Sequence, residues 1–97
     1  MTKIKFNNAE FTLESYNKTT YYSGETIDSN ANCVVFADNI TSLNNIALSA
    51  ITVIQIKVDD TVIYDLQDIN AHIDSISEYL SDNKIYVNVN LKFDIVA

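Results

Sequence analysis

The apolar residues of this chain fall mostly on every second position. Ile4 and Phe6, then Ala9, Phe11 and Leu13, alternate with polar neighbours on either side of Asn7-Asn8. That pair tolerates the positive φ of a tight turn, so a first hairpin is expected here. Residues 16–26 read as polar and aromatic, with Ser23-Gly24 as the strong turn signal, and predict a strand end passing into an exposed loop. Ile27, Ala31, Cys33 and Val35 share one face of the next segment, and its far end, residues 34–37, is continuously apolar. A central strand covered on both faces reads that way.

The period then changes. Ile40, Leu43, Ile46, Ala47, Ala50 and Ile51 follow helical spacing, with Asp38 or Thr41 placed to cap them; they predict one short helix over residues 41–50, its apolar stripe against the sheet. Residues 51–58 and 61–66 are dense in β-branched side chains around Asp59-Asp60, which predicts a second hairpin. Residues 69–80 fit two patterns: Ile69, Ala71 and Ile73 suit a strand, whereas Ile69, Ile73, Ile76 and Leu80 suit a helix equally well. Periodicity alone does not choose. The partner favours a bent strand, because Ile85, Val87, Val89, Leu91, Phe93 and Ile95 alternate cleanly with polar residues and Asp82-Asn83 can join the two. The expected class is α+β, a mainly antiparallel sheet or sandwich of about six to seven strands with one short helix. A chain of 97 residues without a Pro/Gly-rich linker or repeat forms one domain, residues 1–97.

Composition sharpens this picture in two places. Proline is absent and Gly24 is the one glycine, so the turns must draw on Asn, Asp and Ser. Six lysines and no arginine stand against thirteen carboxylates, a net charge of −7. The attraction that drives binding to phosphate backbones or anionic membrane surfaces is therefore missing, and neither nucleic acid nor membrane is an expected partner. Residues 1–6 lack the basic and apolar regions of a secretory signal, which makes the cytoplasm the expected site of synthesis. The sequons at Asn17 and Asn39 are then chance matches.

Candidate chemistry is sparse. Cys33 is the single cysteine and His72 the single histidine, far apart in sequence, so a zinc site lacks its usual ligands. His72 lies on the polar face of an alternating segment between core candidates Ala71 and Ile73, a poor setting for a catalytic triad. Gly24 lacks the companion glycines of a phosphate loop. Neither a catalytic residue, a cofactor nor a metal is expected. Two groups remain as possible surfaces. Tyr16, Tyr21 and Tyr22 form a candidate contact patch, since Tyr offers rigid amphipathic area at low entropic cost. Asp59, Asp60, Asp65, Asp68, Asp74, Glu78 and Asp82 form a candidate acidic face, with turn formation and solubility as the plainer reading.

The order of elements, with Lys3-Ile4-Lys5-Phe6 opening a hairpin, a short helix over residues 41–50 and residues 85–93 closing the sheet, resembles small virion proteins of tailed bacteriophages. The resemblance is architectural and carries no diagnostic motif, so no functional residue transfers with it. It implies a capsid-decorating, connector or tail-associated subunit, made in a host cytoplasm and incorporated in the virion. Such a subunit is not an enzyme and works through contacts with copies of itself or other virion proteins. A second reading is an acidic inhibitor that presents carboxylates to a host nucleic-acid-binding protein where phosphates would sit.

Overall fold

A computed structural model of the chain describes residues 1–36 and 50–94, apart from the side chain of Thr26. Seven strands run in order: β1 (Thr2–Phe6), β2 (Ala9–Ser23), β3 (Thr26–Phe36), β4 (Ile54–Val58), β5 (Thr61–Leu66), β6 (Ala71–Ser81) and β7 (Lys84–Phe93). They form one antiparallel sheet in the spatial order β5-β4-β1-β2-β3-β7-β6. The α+β expectation is thereby corrected: the described residues are all-β. Every described element is an extended strand, and most of the ambiguous residues 69–80 form β6, whose period is broken once by a bulge between Ile73 and Ser75. Apart from Ala50, which lies in no element, the helix expected over residues 41–50 falls outside the described residues.

Turn chemistry explains the hairpins. Asp59 and Asp60 (φ 48° and 70°) and Asp82 and Asn83 (φ 52° and 61°) each supply two successive left-handed residues. They close two-residue loops between the register pairs Val58/Thr61 and Ser81/Lys84, the conformation that matches the twist of flanking strands. Gly24, at φ 61°, turns β2 into β3. The exposed loop expected within residues 16–26 is instead the outer half of β2, which stays in register with β3 to Ser23/Thr26. Tyr and Thr favour extended backbone even where little is buried, and β3 satisfies that backbone.

β2 is the hinge of the sheet. Its first residues pair with β1 up to Thr12, its later ones with β3, and the register slips between Leu13 and Ser15. The extra residue of such a bulge bends the strand and increases its twist. The part of the sheet holding β5, β4 and β1 thus turns toward the part holding β3, β7 and β6. The inward rows of both parts form one core, which includes Ile4, Phe6, Ile54, Cys33, Val87 and Val89, all with no exposed surface. Ile51 and Ala71 exchange both backbone hydrogen bonds, at 2.7 and 3.0 Å, and the Ile69 amide donates to the Thr52 carbonyl at 3.1 Å. These bonds bring the approach to β4 against the start of β6 at the other end of the strand order.

Asn7 holds that approach in place. It sits at φ 54° in the first turn, and its side-chain amide donates to the Ala50 carbonyl at 3.1 Å. Its Oδ1 accepts from the Thr52 amide at 2.9 Å, the Thr52 hydroxyl at 3.2 Å and the Val53 amide at 3.3 Å. A turn residue in the sequence is a polar clip in the fold.

Candidate functional site

The strands around β3 outrun the core at both ends. Side chains of directly opposed residues lie on the same face of a sheet, and the core-facing row of β2 and β3 continues past Lys18/Ala31 and Thr20/Ser29 to Tyr22/Ile27. Tyr22 is 76% exposed and Ile27 57%. At the opposite end the core-facing row of β6 and β7 runs out to Leu80/Ile85, exposed by 69% and 44%. Each hairpin end thus carries one exposed cross-strand apolar pair on the core face, beyond the core formed by the described residues. Lys18, two pairs further inward on β2, places its ammonium 4.8 Å from the centre of the Phe93 ring.

The second end is also apolar on its outer face. Phe36, Tyr86 and Tyr79 stand in register across β3, β7 and β6. Their ring centroids are 5.0 Å apart for Phe36 and Tyr86 and 5.5 Å for the stacked Tyr86 and Tyr79. Partial desolvation among these rings, with Glu14 and Asp82 nearby, raises the Tyr86 phenol above its ordinary value. Leu80 and Ile85 enter the sequence pattern as members of apolar rows, and none of Tyr79, Leu80, Ile85 and Tyr86 is among its candidate contact residues. The available signal was that apolar alternation continues to within two residues of Asp82-Asn83, where a solvated hairpin tip needs none.

Between the two ends, the outer face of β2, β3, β7 and β6 is built largely from amides. Asn17, Asn32, Asn90 and Ser75 occupy one row across the four strands, and Thr19, Asn30 and Lys92 occupy the next. The Asn32 amide donates to Asn88 Oδ1 and to Asn90 Oδ1, both at 2.6 Å, and Asn90 Nδ2 donates to Ser75 Oγ at 2.9 Å. Asn17, Thr19, Asn30, Asn32, Asn90 and Ser75 border an open groove of about 320 Å³ with Tyr21 at one end.

The three tyrosines of the candidate patch go to three settings. Tyr16 faces inward, half-buried against Tyr64; Tyr21 lies on the outer face; Tyr22 lies on the core face at the hairpin end. Burial, reinforced by Tyr64, raises the Tyr16 phenol far above its ordinary value. Of the seven candidate acidic residues, Asp59, Asp60, Asp68 and Asp82 occupy turn or loop positions with positive φ. This is backbone work that Asp tolerates well. Asp59 also pairs with the Met1 ammonium, which holds its carboxyl below the usual range. Asp65 accepts from Gln67 at 2.6 Å, Asp74 is the extra residue of the β6 bulge, and Glu78 is exposed on β6.

His72 Nδ1 lies 3.2 Å from Asp94 Oδ2, both side chains well exposed. The hydrogen bonds of the described residues join His72 to no hydroxyl or thiol. Cys33 has no exposed surface, and burial pushes its thiol up to about 12, where it is a poor nucleophile. Among the described residues no three His, Cys, Asp or Glu side chains are grouped to hold a metal ion, and no helix is long and apolar enough to cross a membrane. Compared with protein families, with curated proteins and with solved structures, the chain matches none.

Proposed function

We propose that this protein is a non-enzymatic assembly subunit of the small virion-protein kind, which joins copies of itself or other virion proteins through its two hairpin ends. The carrying observation is the pair of exposed cross-strand contacts, Tyr22/Ile27 at one end and Leu80/Ile85 at the other. Placed at opposite ends of one sheet, they suit a subunit that touches a neighbour on each side, and apolar and aromatic anchors of this kind dominate interface energetics. The outermost strands of the described order, β5 and β6, each carry a register irregularity in their pairing, and bulges there discourage unplanned edge-to-edge growth. Side-chain contact at the hairpin ends is therefore favoured over strand addition.

The test is the mass of the purified protein by light scattering at about 50 mM and about 500 mM salt, where screening differs strongly. An oligomer that persists at the higher salt supports apolar assembly. A monomer at both salts that captures a basic protein only at the lower one would replace this reading with the acidic inhibitor.

A further inference from the structure

We propose that the amide face of β2, β3, β7 and β6 is a binding site for a neutral oligosaccharide. Asn17, Asn32 and Asn90 bond its hydroxyls, and Tyr21 stacks on the C–H face of a sugar ring. This surface is separate from the apolar pairs at the hairpin ends.

The composition of the face is the first argument. Asn is among the residues depleted from strands, and a merely solvated outer face is better served by Thr, Lys or Glu. Here Asn17, Asn30, Asn32, Asn88 and Asn90 project from three adjacent strands onto one face. That arrangement gives up strand propensity for a group of amides, of which Asn32, Asn88 and Asn90 are bonded to one another or to Ser75.

Preorganisation is the second. An amide has two N–H donors and an oxygen with two lone pairs. Asn32 spends both donors on Asn88 and Asn90, which fixes its orientation and leaves its oxygen without a donor among the described residues. Asn90 gives one hydrogen to Ser75 and accepts from Asn32, which leaves it a second hydrogen. A locked acceptor and a locked donor one strand apart match what a sugar hydroxyl offers, since a hydroxyl both donates and accepts. The row from Asn17 to Ser75 crosses four strands, about 14 Å at ordinary strand spacing, room for more than one sugar ring.

Charge is the third. Among the described residues the groove is lined by one carboxylate, Asp74, and by no cation, with Lys92 in the neighbouring row outside its lining, and the chain carries a net charge of −7. A phosphate or other polyanion finds no counter-charge there, and a long apolar ligand finds little apolar wall. What remains is a neutral, polyhydroxylated ligand, with Tyr21 as the amphipathic platform at the end of the groove.

The experiment is an NMR titration of the ¹⁵N-labelled full chain with cellohexaose, chitohexaose and maltohexaose, each to millimolar concentration, with inorganic phosphate as the anionic comparison. The expected result is saturable shifts of the Asn32 and Asn90 side-chain amide resonances with at least one oligosaccharide and none with phosphate. Asn32→Ala and Asn90→Ala, on an exposed face, keep the dispersed spectrum and weaken binding about tenfold. Tyr22→Ser and Leu80→Ser leave it unchanged, which separates this site from the assembly surface. Absence of saturable shifts with all three sugars, or binding unaffected by both Asn variants, overturns the proposal.

Discussion

The ring of Tyr16 on β2 packs against the ring of Tyr64 on β5, with centroids 5.4 Å apart at a tilt of 55°. Two strands, β1 and β4, lie between β2 and β5 in the sheet. In a flat sheet three strand spacings would hold these residues about 14 Å apart. Their contact therefore measures the bend that the β2 bulge introduces.

That contact makes the fold sensitive to alkali. The buried Tyr16 phenol ionises far above its ordinary value, so the folded state favours the protonated form. Its contribution is complete below the unfolded value of about 10 and is lost as pH rises through and beyond it. Between pH of about 9 and about 11, Tyr16→Phe is expected to lose less stability than the wild type in denaturant unfolding. Equal losses would mean that the phenol is not held in its neutral form by the fold.

Asn7 gives a second prediction. Its side chain serves backbone groups of Ala50, Thr52 and Val53 while its own backbone stays left-handed. Asn7→Gly keeps the backbone option and loses the clip, an expected destabilisation of about 1–2 kcal/mol. Asn7→Ala adds the left-handed backbone penalty and is expected to cost about 1–2 kcal/mol more. Thermal unfolding of the two variants checks the order; an alanine variant as stable as the glycine one contradicts it.

Cys33 gives a third. A thiol with no exposed surface and a value pushed up to about 12 reacts only when the fold opens. Ellman's reagent at pH of about 8 is expected to label native protein slowly, at a rate set by opening, and denatured protein at once. Prompt labelling of native protein would place Cys33 outside the core.

Much of the strand layout is legible in the sequence because one inward face must be apolar at every second residue. The row Val87, Val89, Leu91 and Phe93 and the turns at Asn7-Asn8, Asp59-Asp60 and Asp82-Asn83 all stand where pattern and turn chemistry put them. Ile73 and Ser75 also explain the split pattern of residues 69–80: the bulge between them shifts the inward position by one, so the segment mixes spacings and mimics a helix. Helical spacing over residues 41–50 is what points the sequence to α+β, while the described residues contain strands alone. The outer half of β2 looks like loop in the sequence because neither of its faces is well buried, which leaves no hydrophobic period. The amide face is illegible for another reason. Asn17, Asn32 and Asn90 are distant in the chain and meet only through the registers of β2, β3 and β7.

The central claim is that the hairpin ends, and not the acidic groups, join subunits. Its most direct measurement is the molar mass by light scattering of wild type, of the double variant Leu80→Ser/Ile85→Ser and of Asp59→Asn/Asp60→Asn, with circular dichroism to confirm that each is folded. All four wild-type side chains replaced in these variants are exposed, so stability is expected to change by no more than about 0.5 kcal/mol. The account predicts an assembly in wild type and in the aspartate variant that falls apart in the Leu80/Ile85 variant. A mass unchanged by Leu80→Ser/Ile85→Ser, or a wild type that is monomeric throughout, contradicts it.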